Sequence, residues 1–247
     1  AIRMGQSIHF VVPTGNFGDI LAGYYAKQMG LPIGRLICAS NRNNVLTDFF
    51  TDSTYYTHRT FFQTLSPSMD ILISSNLERL LYESANRDPN LVKTWMTQLA
   101  ESGSFSVGVQ RLKALQTTFW AGYADDNMTM EEIHTVYERK GYVMDPHTAV
   151  GSRVLAQYRD RTNDPTTCVL LATASPYKFS DDVLRALWGC ERAAGLDTFA
   201  CARELERLSG VPIPKSISEL KTLPVRHHSV CEKDEMEAAL LRELGGE

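Results

Sequence analysis

The chain has 247 residues, of which 43% are hydrophobic and 22% are charged, and its formal net charge is −4. This composition is typical of a globular protein with a sizeable core, and a negative charge without a long basic run argues against nucleic acid as a partner. No apolar run is as long as a membrane span, and no basic stretch before an apolar segment marks a signal peptide, so we expect no membrane partner.

The cysteines are scattered along the chain, and none belongs to a C-x-x-C pair. This spacing predicts neither a zinc site nor a disulfide framework, and we predict no metal site. Cys38 and Cys168 lie in strand-like runs and are predicted to be buried thiols. The cysteine usage fits a reducing, intracellular origin, and it leaves export open. The five are Cys38, Cys168, Cys190, Cys201 and Cys231.

The first predicted elements are a strand and a helix. Residues 7–12 are apolar and rich in β-branched side chains, which predicts a buried strand. Pro13 ends this strand because it has no backbone N–H for a ladder. A helix follows from Asp19, and Gly30 stops it. Its predicted inward face consists of Ile20, Leu21, Tyr24, Tyr25 and Met29.

The loop between this strand and this helix carries Gly15 and Gly18. Glycine has no Cβ, so an anion can approach the backbone there, and the first N–H groups of a helix have no partner within it. The loop therefore suits a phosphate, although many such loops in α/β proteins bind nothing. Its glycines match neither the G-x-x-x-x-G-K-[ST] P-loop nor the G-x-G-x-x-G dinucleotide turn.

Residues 35–40 form a second predicted strand, so strand, helix and strand follow one another as in a right-handed βαβ unit. We therefore predict an α/β fold with a mostly parallel sheet flanked by helices. Asn41, Asn43 and Asn44 follow the second strand, at the sheet edge where ligands gather. Asn also favours turns, and we assign no function to any of the three.

The next informative stretch, residues 66–81, predicts a turn, a short strand and a helix. Ser75 is the predicted helix cap, and Glu78 completes a capping box with it. Arg79 suits a bidentate contact with a carboxylate or phosphate. It equally suits an ion pair with Glu83, four residues on.

The later elements are predicted from periodicity and from helix-start residues. Thr129 is expected to cap its helix together with Glu132. Residues 51–65 show no clear period, and the aromatic stretch 119–123 suggests a loop. Helices are predicted over residues 90–100, from 129, over 146–158, from 180 and from 232, and a buried strand over 168–174.

The string PTGNFGDILAGYYAK at residues 13–27 resembles the threonine synthases, which are fold-type II enzymes dependent on pyridoxal phosphate (PLP). It is most similar to the branch shared by enterobacterial and fungal enzymes and by animal threonine synthase-like proteins. In that family the loop wraps the phosphate of PLP. Backbone amides and the Asn16 side chain are the expected donors, and Asp19 is expected to cap the helix because its charge repels phosphate. The implied phosphate cup consists of Gly15, Asn16, Phe17, Gly18 and Asp19.

Further strings carry the same resemblance: SPSMDILISSNLER at 66–79, DPHTAVG at 145–151 and TASPYKF at 173–179. They imply that Thr173 meets the pyridine nitrogen of PLP, and that Asn76 and Arg79 lie on the substrate side of the cleft. Lys178 is a candidate contact for substrate phosphate and equally suits a solvated helix start. Ser175 stands where the family usually has His, which puts substrate choice in doubt.

His147 could be a general acid-base group, but it is expected to be structural and to orient the cleft wall, because neither a carboxylate nor a nucleophile is spaced beside it. The lysine that forms the aldimine with PLP precedes the loop in this family, and no residue before Gly15 matches its motif. Lys27, in the helix after the loop, is wrongly placed for that role. We therefore expect residues 1–247 to be one C-terminal domain whose N-terminal half is absent, and the start at Ala1 suggests processing or truncation.

The implied parent activity is PLP-dependent phosphate elimination from O-phosphohomoserine or O-phosphothreonine, a phospho-lyase or threonine synthase reaction. The chain alone is expected to be inactive. The alternative is a secreted, cytokine-like signalling factor without catalytic activity, implied by a short secreted form in the animal branch. That hypothesis makes a cell-surface receptor the partner, whereas the full-length parent is expected in the cytoplasm. Apolar cleft surface left exposed favours self-association.

Overall fold

The computed structural model describes residues 3–245, apart from the side chain of Cys190. The chain divides into two compact units, Ala1–Ile213 and Pro214–Glu247. The single domain expected over residues 1–247 stays a prediction, and the expectation about Ala1 lies outside the described residues. Across residues 3–245, every helix is too short or too polar to span a bilayer.

The first unit contains a four-stranded sheet and a two-stranded one. The strands of the described residues are β1 (Ile8–Pro13), β2 (Ile33–Ser40), β3 (Thr54–Tyr56), β4 (Ser104–Ser106), β5 (Phe119–Tyr123) and β6 (Cys168–Leu170). The larger sheet has the order β5-β2-β1-β6 and is parallel throughout, whereas β3 and β4 pair antiparallel. The predicted α/β fold with a mostly parallel sheet is confirmed.

Helices flank both faces of the larger sheet. Val12 and Leu36 belong to a core formed with the first two helices, whereas Val11 and Ile37 belong to a second core with the seventh. Neighbouring residues of one strand therefore face opposite layers, as the pleat requires. The helices are α1 (Gly18–Gln28), α2 (Val45–Asp52), α3 (Leu77–Ser84), α4 (Pro89–Ser102), α5 (Val109–Gln116), α6 (Asp126–Lys140), α7 (Pro146–Thr162), α8 (Ser180–Trp188), α9 (Cys190–Ala193), α10 (Thr198–Ser209), α11 (Lys215–Ser218) and α12 (Met236–Glu243).

Two predicted capping boxes are wrong. Helix α3 has Asn76 at its N-cap and no side-chain cap, so Ser75 does not cap it. Helix α6 begins three residues before Thr129, because the Asp125 carboxylate accepts a hydrogen bond from the Met128 N–H (2.9 Å). Glu132 instead accepts a hydrogen bond from Ser152 of α7 (2.6 Å). An aspartate upstream provides the same acceptor as threonine, and it moves the helix start.

Two strand predictions also need correction. The strand expected over residues 168–174 is only three residues long, and Cys168 is half-buried rather than buried. Within the described chain β6 pairs on one side only, with β1, so it is an edge strand. Residues 119–123 are not a loop but β5, in register with β2 from Leu36 to Ser40. Aromatic residues fit a half-buried strand well, and this preference outweighs the glycine at position 122.

Candidate functional site

The predicted phosphate loop, residues 14–17, connects the end of β1 to the start of α1. Because β1, β2 and β6 are parallel, the residues that follow each of them meet at one edge of the sheet. The Leu171 N–H donates to the Val11 carbonyl (3.0 Å), which continues the pairing of β6 towards the loop. The sheet therefore brings the loop and Thr173 to the same carboxyl edge, where α/β proteins bind their ligands.

Phe17 fixes the centre of the loop. Its backbone is left-handed (φ 68°), which is uncommon for a residue with a side chain. Its ring is 1% exposed, and the ring centroid lies 5.7 Å from that of Phe119 and 6.0 Å from that of Phe50. Burial of the ring offsets the cost of the backbone conformation. Phe17 can therefore offer a ligand its backbone N–H, but not its side chain.

Asn16, rather than Asp19, caps the first turn of α1. The Asn16 Oδ1 atom accepts a hydrogen bond from the Gly18 N–H (2.9 Å). Asp19 is exposed within the first helical turn, and α1 has no side-chain cap at its N-cap residue, so the predicted capping role of Asp19 is wrong. The bond through Oδ1 leaves the Asn16 Nδ2 group as a further donor beside the backbone.

The turn presents several backbone donors without acceptors. The Thr14 N–H donates to the Ala39 carbonyl (2.8 Å) and is closed off in the sheet. The dipole of α1 adds positive potential at the N–H groups that come after Thr14, at the N-terminal end of the helix. An anion is the chemical complement of such a turn. The N–H groups that have no acceptor within residues 3–245 are those of Gly15, Asn16, Phe17, Asp19 and Ile20.

The two glycines of the loop are explained by close packing. A Cβ on Gly15 would lie 3.0 Å from Met69 Cα and 3.1 Å from the Ser68 carbonyl oxygen. A Cβ on Gly18 would lie 3.2 Å from both Asn16 Oδ1 and Asn76 Nδ2. The space beside each glycine was expected to admit an anion, but at Gly15 another segment of the chain occupies it. That contact positions the loop against residues 66–76.

Asn76 and Arg79 lie together beside the loop. The Asn76 N–H donates to the Asn16 carbonyl (3.0 Å), and the Arg79 guanidinium donates to Asn76 Oδ1. Glu83 forms its ion pair with Arg87 (3.1 Å) instead of with Arg79, the alternative that the sequence left open. A groove of about 880 Å³ opens next to these side chains. Its lining includes Tyr25, Asn76, Arg79, Tyr82, Lys93 and Met96.

Thr173 and Lys178 follow β6. Thr173 is exposed, three residues beyond the end of that strand. Lys178 is also exposed, in a 3-10 turn over Pro176–Phe179, and its Nζ atom lies 6.0 Å from the Phe179 ring centroid. The Ser175 hydroxyl accepts a hydrogen bond from the Tyr177 N–H (3.3 Å), so this side chain caps the turn. No contact joins Lys178 to the loop in the described part of the chain.

His147 lies in the wall behind this edge, in the first turn of α7. Its ring is 2% exposed, packs 4.9 Å from the Phe179 ring and approaches Asp145 Oδ1 through Nδ1 (3.0 Å). Burial acts to raise the pKa of Asp145, but hydrogen bonds from His147 and Thr148 outweigh it and lower that pKa. Asp145 caps α7 by accepting from the His147 and Thr148 N–H groups. The expectation that no carboxylate lies beside His147 is therefore wrong. Its Nε2 atom is buried and has no hydrogen-bond partner among residues 3–245, and the structural role of His147 stays a prediction.

Sequence reasoning missed a hub at Asp70. The Asp70 Oδ1 atom accepts hydrogen bonds from Asn41 Nδ2 (2.7 Å), Asn43 Nδ2 (3.0 Å) and the Thr64 hydroxyl (2.7 Å). The hub joins the end of β2 to the turn that packs on Gly15. The two asparagines therefore hold neighbouring segments together. The sequence signal that could have indicated this cluster was Asn41 and Asn43, followed along the chain by Asp70, an aspartate with no assigned role.

Comparisons with known proteins agree with this fold. A family model for the C-terminal region of threonine synthase matches residues 148–239. Human threonine synthase-like 1 is 42% identical over 188 residues, which are 75% of this chain and 25% of that protein. The crystal structure of yeast threonine synthase aligns with a TM-score of 0.80 at 34% identity, over 97% of this chain and 48% of that one. The PLP-bound threonine synthase of Brucella melitensis aligns with a TM-score of 0.71 at 38% identity, over 84% and 47%.

The fold and these matches define the fold class as that of the fold-type II PLP enzymes. Within that class, the chain belongs to the threonine synthase family and matches its C-terminal part. It spans about a quarter of the human relative and about half of each of the two solved structures.

Proposed function

We propose that the loop over residues 14–20 binds the phosphate of PLP. The observation that carries this proposal is the set of backbone N–H groups from Gly15 to Ile20, that of Gly18 excepted, which find no acceptor in the described part of the chain at the start of α1. Five such donors and the Asn16 amide suit a phosphate dianion, which has several strong acceptor oxygens. The fit is through main-chain groups, and Phe17 keeps its side chain in the core.

We propose further roles for side chains at the same edge. When bound, PLP supplies an electron sink for elimination at a phosphorylated amino acid. The Thr173 hydroxyl suits the pyridine nitrogen, because a neutral partner keeps that nitrogen unprotonated. Arg79 and Asn76, at the mouth of the groove, suit the substrate carboxylate or phosphate, and Lys178 suits the phosphate. The proposed substrates are O-phosphohomoserine and O-phosphothreonine.

We propose that this chain binds the cofactor but does not complete the reaction by itself. Lys27 lies in the last turn of α1, and its Nζ atom donates to the Ile33 and Gly34 carbonyls (2.9 Å to Gly34). Lys27 follows Gly18 by nine residues of helix, which at about 1.5 Å per residue puts it about 14 Å along the axis from the cup. It therefore holds the first residues of β2 rather than the cofactor.

The test is a titration of the 247-residue chain with PLP, followed by absorbance and by competition with inorganic phosphate. We expect saturable binding that phosphate competes with. Asn16→Ala should weaken both ligands about tenfold, because it removes a donor and the cap of Gly18. Thr173→Ala should weaken PLP alone. Lys233→Ala, in the second unit, is the matched control.

Absence of competition between phosphate and PLP would contradict the cup. Unchanged affinity in Asn16→Ala would do so as well. The secreted, cytokine-like alternative stays a prediction. It gains support if the chain binds neither PLP nor phosphate while it remains folded by circular dichroism.

A further inference from the structure

A serine outside the loop holds one of the loop carbonyls. Ser74 is 5% exposed, and its Oγ atom donates to the Gly15 carbonyl oxygen at 2.8 Å. We infer that Ser74 is a positioning residue that aims the backbone donors of the cup, an inference that rests on the proposed function. The residues of the loop cannot make this hydrogen bond among themselves, because its donor, Ser74, lies outside the loop.

The geometry of the peptide bond explains how Ser74 acts. In a trans peptide the C=O of one residue and the N–H of the next point in opposite directions, and the described backbone contains no cis bond. Ser74 draws the Gly15 carbonyl towards residues 74–76, so the Asn16 N–H points away from that segment. A rotation of this peptide plane would remove the donor from the cup without breaking the chain.

A second contact fixes the next peptide plane in the same sense. The Asn76 N–H donates to the Asn16 carbonyl (3.0 Å), so the Phe17 N–H also points away from residues 74–76. Two consecutive carbonyls are thus held on one side, and two consecutive N–H groups are presented on the other. Such an arrangement of amides is typical of anion-binding turns.

Ser74 is itself held by a rigid part of the core. Its N–H donates to the Tyr55 hydroxyl (2.7 Å), which donates to the Leu72 carbonyl (3.0 Å). Burial raises the pKa of Tyr55 to about 12, so the phenol remains a donor at neutral pH. The Tyr55 ring stacks on Phe105 of β4, with centroids 5.5 Å apart. The hydrogen-bond chain therefore runs from the small sheet through Tyr55 and Ser74 to Gly15.

The experiment compares the wild-type chain with Ser74→Ala and Tyr55→Phe, with the exposed Ser68→Ala as control. The first measurement is the NMR order parameter of the Asn16 and Phe17 amides without ligand. In Ser74→Ala we expect it to fall from about 0.85 to below about 0.6, with a smaller fall in Tyr55→Phe. The second measurement is PLP affinity, which should fall about tenfold in Ser74→Ala and remain unchanged in Ser68→Ala.

The two measurements separate the possible failures. Unchanged order parameters in Ser74→Ala overturn the positioning role, whether or not PLP binds. If the amides become mobile in Ser74→Ala but PLP affinity is unchanged, Ser74 is not important for binding at the cup. If the wild-type chain binds no PLP, the proposed function fails, and the order parameters still decide whether Ser74 orients the loop. If Ser74→Ala does not fold, Tyr55→Phe and Ser74→Thr, which retains a hydroxyl, provide the same comparison.

Discussion

At the scale of single residues, Asn16 performs two separable tasks. Its Oδ1 atom caps the Gly18 N–H, whereas its Nδ2 group has no acceptor within the described residues 3–245 and can donate to a ligand. Asn16→Asp keeps the acceptor and replaces the donor with a negative charge. Asp and Asn are equally good at helix starts, so we expect the free energy of unfolding to change by less than about 0.5 kcal/mol.

The same substitution should strongly weaken anion binding. A unit charge about 4 Å from a phosphate charge costs several kcal/mol at an effective dielectric constant of about 20. We therefore expect at least a tenfold loss of PLP affinity in Asn16→Asp, measured by titration beside thermal unfolding. Equal affinities of the variant and the wild type would show that the phosphate does not approach this side chain.

At the scale of elements, the start of α7 should be sensitive to acid. The pKa of Asp145 is lowered in the folded state, through the balance of burial and hydrogen bonds described above. Because the pKa of Asp145 is lower in the folded than in the unfolded chain, its carboxylate stabilises the fold at pH values above the unfolded pKa of about 4. This stability is lost as the pH falls from there through the pKa of the folded state. The element that depends on it carries His147 behind the sheet edge.

Asp145→Asn tests this dependence, because asparagine keeps an N-cap oxygen and removes the charge. We expect the wild type to be more stable by about 1.5–3 kcal/mol at pH 7, the size of a hydrogen bond to a charged group. The difference should shrink as the pH falls from about 4 to 2. Urea unfolding across that range measures it, and Asp125→Asn, at the N-cap of α6, controls for the cap itself. A constant difference at all pH values would contradict the prediction.

The sequence predicted those elements whose signals are local. β1, β2 and the loop before α1 follow from a β-branched run, a proline and two glycines. The small sheet of β3 and β4 was not predicted, because three-residue strands depend on partners far along the chain. In the same way, the cup residues are a single string, whereas the bond from Ser74 to Gly15 joins residues 59 apart. Contacts of this kind are set by tertiary packing, which sequence patterns do not encode.

At the scale of the whole molecule, exposed apolar side chains lie in and next to the groove of the first unit. Tyr25 of α1 and Tyr82 of α3 line the groove. Ile73, 63% exposed, lines a neighbouring pocket that shares Met96 with the groove. Apolar surface of this kind beside a polar rim is typical of an interaction site. The groove borders Asn76, so a protein surface placed there would also approach the cup.

We therefore propose that the chain self-associates through this surface. Ile73→Asp places a charge within the exposed apolar surface without removing a buried side chain, so the fold should be retained. We expect the wild type to show concentration-dependent association in sedimentation velocity, and we expect Ile73→Asp to shift it at least tenfold towards monomer, because burying an unpaired charge is unfavourable. Val109→Asp, at an exposed position in α5, is the matched control. Association that is equal in both variants would assign it to another surface, since Ile73, unlike Val109, lines the pocket that adjoins the groove.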